Sequence, residues 1–414
     1  MSQSTSRSKA VPHSAGWVIF ALAIGAFAIG TTEFATMSLL PYFAKDLNID
    51  APTAGHVISA YALGVVVGAP ILTVLTARVA RRTLLIWLMA LFAIFNGLSA
   101  FAPTYEWLLV LRFLSGLPHG AYFGIASLVA VSLVPLNKRN QAVGRMFLGL
   151  TIATIIGVPF ANWLGHAMGW RWGFGLVAFT GFVTVALVAW LAPRTSASPG
   201  ASPLRELGAL KHAQVWLTLA VGAIGFGGLF AVYTYLADTL IIVTQVSPAT
   251  VPLILGIFGL GMTVGNIVVP WFADRALMPT AAGLLLWSAA ASALFTLTAG
   301  SLWAISVNVF LIGIGGALGT VLQTRLMDVA KHAQGLAAAL NHSAFNFANA
   351  LGPFLGGMAI ARGYGWTSPG WVGALLALGG FVLLLLSVWL DRSRREKNQH
   401  SSSNHRPAAS AGTI

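Results

Sequence analysis

Twelve long apolar runs divide this chain, and they constrain its fold more than any other feature. A helix needs ~20 mostly apolar residues to cross about 30 Å of hydrocarbon. Lipid offers no hydrogen-bond partner to an open backbone, so each run is expected as a helix. The runs cover residues 16–41, 53–76, 83–102, 105–134, 141–166, 172–192, 213–240, 250–273, 279–299, 302–326, 334–361 and 370–390. The sequence therefore predicts an all-α membrane protein with twelve transmembrane helices.

The composition agrees with a membrane protein and excludes several kinds of chemistry. Hydrophobic residues make up 57% of the chain and charged residues only 8%, against about 25% charged in a soluble domain. The absence of cysteine excludes disulfides, thiolate metal sites and cysteine nucleophiles. The chain also lacks the P-loop, H-E-x-x-H and G-x-S-x-G motifs. We predict no enzymatic activity, no metal site and no bound cofactor.

The lysines and arginines between the runs predict the orientation. With a cytoplasmic N-terminus, the even-numbered loops and the two ends carry most of these cations, while the other loops carry only Lys45, Arg171 and Arg362. This is the positive-inside pattern, and it predicts that both termini are cytoplasmic. The net charge of +13 is therefore interpreted as a topology signal, and no nucleic-acid partner is expected.

A sequence repeat divides the chain into two halves. "GAFAIG" at Gly25–Gly30 recurs as "GAIGFG" at Gly222–Gly227, and at the same shift of 197 residues "LGVVVG" matches "LGMTVG". Two parallel six-helix halves describe the major facilitator architecture. The predicted boundaries are a cytoplasmic N-terminus (1–15), a first half (16–192), a Ser/Pro-rich cytoplasmic linker (193–212), a second half (213–390) and a disordered cytoplasmic tail (391–414).

Two intramembrane charges occur in the first half without counterparts in the second. Glu33 corresponds to Phe230, and Arg112 corresponds to Val309. A charge at the centre of a bilayer costs ~2.5–3.5 kcal/mol even on lenient scales, so such residues are functional candidates. Both lie about two turns in from the outer ends of their helices, at similar depth. They either neutralise each other, or Arg112 extends to the interface while Glu33 is protonated.

Polar side chains on other helices are candidates for lining a substrate cavity. His342, Asn346 and Asn349 form a stripe on one helix face, and such a stripe must face protein or water. Interhelical hydrogen bonding and cavity lining both explain it. For the remaining candidates a packing or interfacial position is the alternative; they are Tyr61, His119, Tyr122, Tyr233 and Asp238.

Several motifs in one order resemble the drug:proton antiporter branch of the major facilitator superfamily. They are "GTTEF" (Gly30–Phe34), "SAYALGVVVGAP" (Ser59–Pro70), "RFLSGLPHGAYFG" (Arg112–Gly124), "GLTIATIIGVP" (Gly149–Pro159) and "FNFANALG" (Phe345–Gly352). The chain is most similar to the arabinose-efflux-permease-like bacterial inner-membrane exporters. By this resemblance, Glu33 is the helix-1 acid used for proton or substrate coupling, and Arg112 is the motif arginine of helix 4.

The residues of structural motifs are expected to act on packing and closure. Arg78 follows helix 2, and the pair Asp274 and Arg275 follows helix 8, where these charges would anchor the cytoplasmic face. Ala77 stands where the family has an acid before Arg78. Gly157 and Pro159 belong to the helix-5 exporter motif, although the glycine that usually follows the proline is missing.

The function predicted from these features is export of small organic molecules across the bacterial inner membrane. The mechanism would be alternating access of a monomer in the lipid bilayer, driven by the proton gradient, with Glu33 as the coupling group. Sugars, nucleosides and amphipathic drugs all fit a weakly charged cavity. A proton-coupled uptake symporter is the alternative of similar fold, and a non-transporting membrane receptor is the alternative of another class.

Overall fold

The computed structural model describes residues 14–194, 200 and 202–403, and within those ranges the regular structure is helical, with no strand. Twelve helices are long and apolar enough to cross a membrane, which confirms the predicted number. The first half contains α1 Ala15–Asp46, α2 Ala51–Leu75, α3 Arg81–Ala100, α4 Tyr105–Ser132, α5 Leu136–Met168 and α6 Trp170–Leu191. The second half contains α7 Ala213–Ile242, α8 Pro248–Ala273, α9 Leu277–Thr298, α10 Leu302–Val329, α11 Gln334–Tyr364 and α12 Ser368–Ser403.

Matched glycine contacts show that the sequence repeat is a structural repeat. In the first half, a Cβ added to Gly64 of α2 would collide with the carbonyl of Phe113 on α4. In the second half, a Cβ added to Gly261 of α8 would collide with the carbonyl of Phe310 on α10, and both positions are shifted by 197. Small residues permit this close backbone approach, which drives helix association in lipid. The same two helices therefore pack in the same way in each half.

Each half has its own core. The main cluster of the first half combines side chains of α1, α3, α4, α5 and α6, among them the fully buried Leu22, Phe92 and Tyr122. It also includes Met327 and Ala338 of the second half. The main cluster of the second half is built chiefly from α7 to α10 and includes Leu285 and Phe295. Most of each interior is therefore built within one half, and only a few side chains cross between the halves.

Helix α5 changes geometry next to the predicted motif. The segment Ala153–Gly157 is a π-helical turn that ends two residues before Pro159. Proline has no backbone N–H, so the ordinary helical bond to the carbonyl four residues earlier is missing, and a wider turn accommodates that loss. A Cβ on Gly157 would collide with the Thr31 hydroxyl and approach the Phe27 ring of α1. Gly157 and Pro159 thus shape the contact between α5 and α1.

The segments outside the two halves differ partly from expectation. The linker contains a short helix, Pro203–Leu207, whose first turn is capped because the Ser202 hydroxyl accepts a hydrogen bond from the Arg205 N–H. Residues 391–403, the start of the predicted disordered tail, continue α12 as far as Ser403. This stretch is rich in Arg, Lys, Glu and Gln, all good helix formers. Most of the predicted N-terminus (1–13), parts of the linker (195–199 and 201) and residues 404–414 lie outside the described residues.

Candidate functional site

A cavity of about 50 Å³ lies between the two halves. Its lining comes from α1 and α5 of the first half and from α7, α8, α10 and α11 of the second. The polar lining residues are Glu33, Thr151, Asn266, His342 and Asn346. The aromatic lining residues are Phe34, Phe147, Phe226, Phe230, Tyr233, Phe258 and Phe345. The volume holds a few water molecules at most, whereas ligand pockets span ~300–1,000 Å³. The structure is therefore a form in which the halves are closed around the site.

Glu33 is the only acidic residue in this lining. It is partly buried on α1, and its carboxyl accepts no hydrogen bond from any described residue. The structure does not show the ion pair with Arg112 that the sequence suggested, although the two charges interact electrostatically. An acid without a partner in a closed cavity is available to bind a proton or a polar group of a ligand.

Arg112 is fully buried behind the cavity and is held by neutral groups. Its Nη1 donates hydrogen bonds to Thr32 Oγ1 at 2.9 Å, Asn96 Oδ1 at 3.1 Å and Ser115 Oγ at 3.4 Å. The guanidinium also lies 4.3 Å from the centre of the Tyr61 ring. Charge-assisted hydrogen bonds and a cation–π contact offset part of the burial cost. Thr32 adjoins Glu33, so this network connects the arginine to the acid through one backbone step.

His119 and His342 meet between the two halves; His119 lies halfway along α4, and His342 lies about two turns in from the start of α11. Tyr61 Oη lies 3.0 Å from His119 Nδ1, and His119 Nε2 lies 3.2 Å from His342 Nδ1. The three residues are 3%, 1% and 2% exposed. The Nε2 atom of His342 is buried and has no hydrogen-bond partner. This series of polar contacts joins the first half to a residue that lines the cavity.

Only some of the residues that were predicted to line a substrate cavity do so. Tyr233 and Asn346 line the cavity, as do Glu33 and His342. Tyr122 lies in the core of the first half, where its hydroxyl donates to the Leu22 carbonyl at 2.8 Å. Tyr61 and His119 lie behind the lining, Asp238 is exposed on α7, and Asn349 is partly exposed on α11 outside the lining. The aromatic lining residues other than Tyr233 were missed, because an apolar ring facing a cavity resembles one in a core.

Polar contacts between the halves concentrate at the end of the bundle that carries the linker, which we call the linker end. Arg139 of α5 pairs with Asp328 of α10 at 2.7 Å. Asp274, which follows α8, accepts hydrogen bonds from the backbone N–H groups of Asn140 and Gln141. Both residues lie in the first α-helical turn of α5, which begins at Arg139 after a short 3-10 turn. A carboxylate on a helix N-terminus is well placed, because that end has unpaired N–H groups and a positive dipole. The predicted closing role of Asp274 thus has a definite partner.

The repeat counterpart of this contact uses a residue from the linker. Ala77 is the counterpart of Asp274 and has no carboxylate to offer α11, the counterpart of α5. Instead, Glu206 of the linker helix accepts a hydrogen bond from the Leu336 N–H in the first turn of α11 at 2.8 Å. Ala77 and Glu206 line the same cavity of about 230 Å³. Burial raises the pKa of Glu206, while the Leu336 N–H and nearby arginines act in the opposite direction.

The other motif residues do not touch the central cavity. Arg78 is exposed at the linker end. Arg275 is also exposed, stacks on the Trp271 ring at 3.4 Å and donates to the Trp271 carbonyl. Among the described residues no cluster of three or more His, Asp or Glu could hold a metal ion.

Comparison with known proteins identifies the family. The family model described as Major Facilitator Superfamily matches residues 22–281 and 239–414. The inner membrane transport protein YdhP of Escherichia coli is 41% identical over 89% of this chain and 94% of its own length. A chloramphenicol resistance protein of Streptomyces lividans is 31% identical (86% of this chain, 93% of the relative), and a probable sugar efflux transporter of Helicobacter pylori is 30% identical (90% and 94%).

A solved structure agrees with these relatives in fold. The fucose:proton symporter FucP of Escherichia coli superposes with a TM-score of 0.70, covering 90% of this chain and 98% of that protein at 14% identity. These matches, the twelve spanning helices and the repeated halves lead to one conclusion: the chain is a multi-pass membrane transporter, not an enzyme, and it belongs to the Major Facilitator Superfamily.

Proposed function

We propose that this protein is a proton-coupled exporter of small organic molecules in a bacterial inner membrane, acting as a monomer. The observation that carries the proposal is the carboxyl of Glu33, which lies in the cavity between the halves without a hydrogen-bond partner. The relatives named for chloramphenicol resistance and for sugar efflux support export and suggest the two classes of compound to test.

The proposed cycle uses competition at Glu33. In the form open to the cytoplasm, a substrate would displace the proton from the carboxyl. In the form open to the outside, a proton would displace the substrate. Ionisation of a carboxyl depends on its hydration and on nearby charge, and both change when a cavity opens. The buried charge of Arg112 gives the ionised acid a fixed electrostatic partner on the adjacent helix.

The contacts between the halves support alternating access. The linker end is closed by Arg139–Asp328, by Asp274 on α5 and by Glu206 on α11. The loop charges favour a cytoplasmic position for this end, so the cytoplasmic entrance is the closed one here. A cavity of about 50 Å³ must widen before it accepts a drug-sized molecule.

The test is transport in proteoliposomes with an imposed pH gradient, using radiolabelled chloramphenicol and arabinose. We expect the wild type to move at least one of them against its gradient in the direction opposite to the protons. Glu33→Gln should lose this uphill transport and keep downhill exchange. Glu106→Gln makes the same chemical change at an exposed position on α4 and should behave as wild type. Uphill transport by Glu33→Gln would refute the coupling role, and movement in the same direction as the protons would identify an uptake symporter.

A further inference from the structure

The hydrogen bonds from Tyr61 through His119 to His342 leave one buried nitrogen for something outside the protein. The ring of His342 stacks on Phe123, with centroids 4.1 Å apart and planes at 17°. Its Nδ1 is used by His119, and its Nε2 has no partner. Burying a polar atom without a hydrogen bond is costly. His342 lines the central cavity, while its Nε2 is enclosed in this closed form. We therefore expect the missing partner to reach Nε2 when the cavity widens.

The positions of the protons along this series decide whether His342 Nε2 is a hydrogen-bond donor or an acceptor. If the Tyr61 hydroxyl donates to His119 Nδ1, then His119 carries its proton on Nε2 and donates it to His342 Nδ1. His342 must then carry its own proton on Nε2, where it is an N–H donor. In the reverse direction, the Tyr61 hydroxyl would have no acceptor and His342 Nε2 would be an unused acceptor. The first arrangement leaves one unsatisfied group and the second leaves two, so the first is preferred.

We infer that His342 Nε2–H donates a hydrogen bond to an acceptor oxygen of the transported compound. The inference rests on the proposed function, since it assigns a substrate contact within the same cavity. Tyr61 and His119 are positioning residues that fix the tautomer of His342 and do not touch the compound. The charged groups around this series are Arg112, which lies over the Tyr61 ring, and Glu33, which lines the same cavity.

Several other polar atoms of the lining already have partners. Asn346 Nδ2 donates to the His342 carbonyl, and Asn266 bonds both Met262 and Thr320. The Thr151 hydroxyl bonds Leu148 and Thr263. Four polar groups of the lining therefore have no hydrogen-bond partner among the described residues, and aromatic rings surround them. They are the Glu33 carboxyl, His342 Nε2, Asn346 Oδ1 and the Tyr233 hydroxyl. The compound that fits has an apolar body, a carbonyl, ether or hydroxyl oxygen for His342, and a donor or cationic group for Glu33.

The first experiment reads the tautomer without any ligand. Solid-state NMR of histidine-labelled protein in lipid at neutral pH separates protonated from unprotonated ring nitrogens, and His342→Gln assigns the His342 signals. We expect protonated Nε2 and unprotonated Nδ1 in both His119 and His342. Tyr61→Phe should mix the tautomers of His119, because the hydroxyl that fixes them is gone. Protonated Nδ1 on His342 in the wild type, or no change in Tyr61→Phe, would overturn the inference.

The second experiment measures binding of chloramphenicol to the detergent-solubilised protein by calorimetry. His342→Phe keeps the stacking on Phe123 and removes the donor, and we expect binding to weaken about tenfold. His342→Gln keeps an N–H donor and should recover most of that loss. Size-exclusion profiles establish that each variant is folded. Unchanged binding by folded His342→Phe would overturn the inference. A wild type that binds neither chloramphenicol nor arabinose would count against the proposed function, and the NMR result would then decide the donor assignment alone.

Discussion

Adding one methyl group at Gly124 should separate the two halves at the linker end. Gly124 of α4 faces α11 of the opposite half, and a Cβ built there would lie 2.8 Å from the backbone nitrogen of Ala339 and 3.0 Å from its Cα. Ordinary contacts begin at 3.4 Å, so the α11 backbone would have to retreat by 3.4 − 2.8 = 0.6 Å. Overpacking of this kind costs ~1–3 kcal/mol.

This cost falls mainly on one conformation. The three atoms nearest to the added methyl group all belong to Ala339 of the other half. The substitution should therefore destabilise the closed linker end more than an opened one. A difference of ~1–3 kcal/mol shifts the ratio of the two forms roughly 5- to 150-fold toward opening. Gly124→Ala should therefore raise the population of molecules open at the linker end, without unfolding either half.

The assay is a distance measurement by pulsed electron spin resonance. Because the chain has no cysteine, Lys138→Cys and His332→Cys introduce one spin label into each half at exposed positions of the linker end. Gly124→Ala should move the distance distribution to longer values. The control is Gly283→Ala on α9, where an added Cβ meets nothing within 4 Å. A distribution for Gly124→Ala that coincides with wild type would refute the steric reasoning.

Two further predictions concern Arg112 and Glu206. Asn96→Leu and Arg112→Met should each lower thermal stability, because each leaves buried polar groups without partners. The double variant should lose less stability than the sum of the two single losses. Strict additivity in thermal unfolding would contradict a direct interaction between the two residues. Burial raises the pKa of Glu206 when the linker helix is docked on α11, so the docked form binds a proton more readily than the undocked form. Docking should therefore strengthen as the pH falls through the raised pKa and weaken above it. A spin label at Gly208→Cys should be less mobile at acidic than at neutral pH, with Glu206→Gln showing no such change; equal responses would disprove the role of the carboxyl.

The sequence predicted the fold well because membrane helices obey simple rules. Length and hydropathy determine where a span begins and ends, and the shift of 197 residues already paired Gly64 with Gly261. The helix over residues 391–403 was not predicted, because disordered segments and solvated helices share a polar composition.

The candidate site was predicted only in part. The charge rule for membranes identified Glu33, and the polar stripe identified His342 and Asn346, all of which line the cavity. Depth along the two helices put Arg112 and Glu33 at a similar level in the membrane. Depth does not show in which direction each side chain points around its helix. The arginine therefore turned out to bond Thr32, Asn96 and Ser115 instead of forming an ion pair. One of the two partners of His119, His342, lies 223 residues away, beyond the reach of local patterns.

The origin of Glu206 has a consequence for the modularity of this protein. Asp274 is built into the second half, so two halves produced as separate chains would still carry the acid that contacts α5. The acid that contacts α11 belongs to neither half and is present only as part of the covalent tether. Chimeras that exchange whole halves between relatives would keep the contact of Asp274 with α5 and lose the contact of Glu206 with α11. The second contact would be kept only if the linker is exchanged together with the first turn of α11.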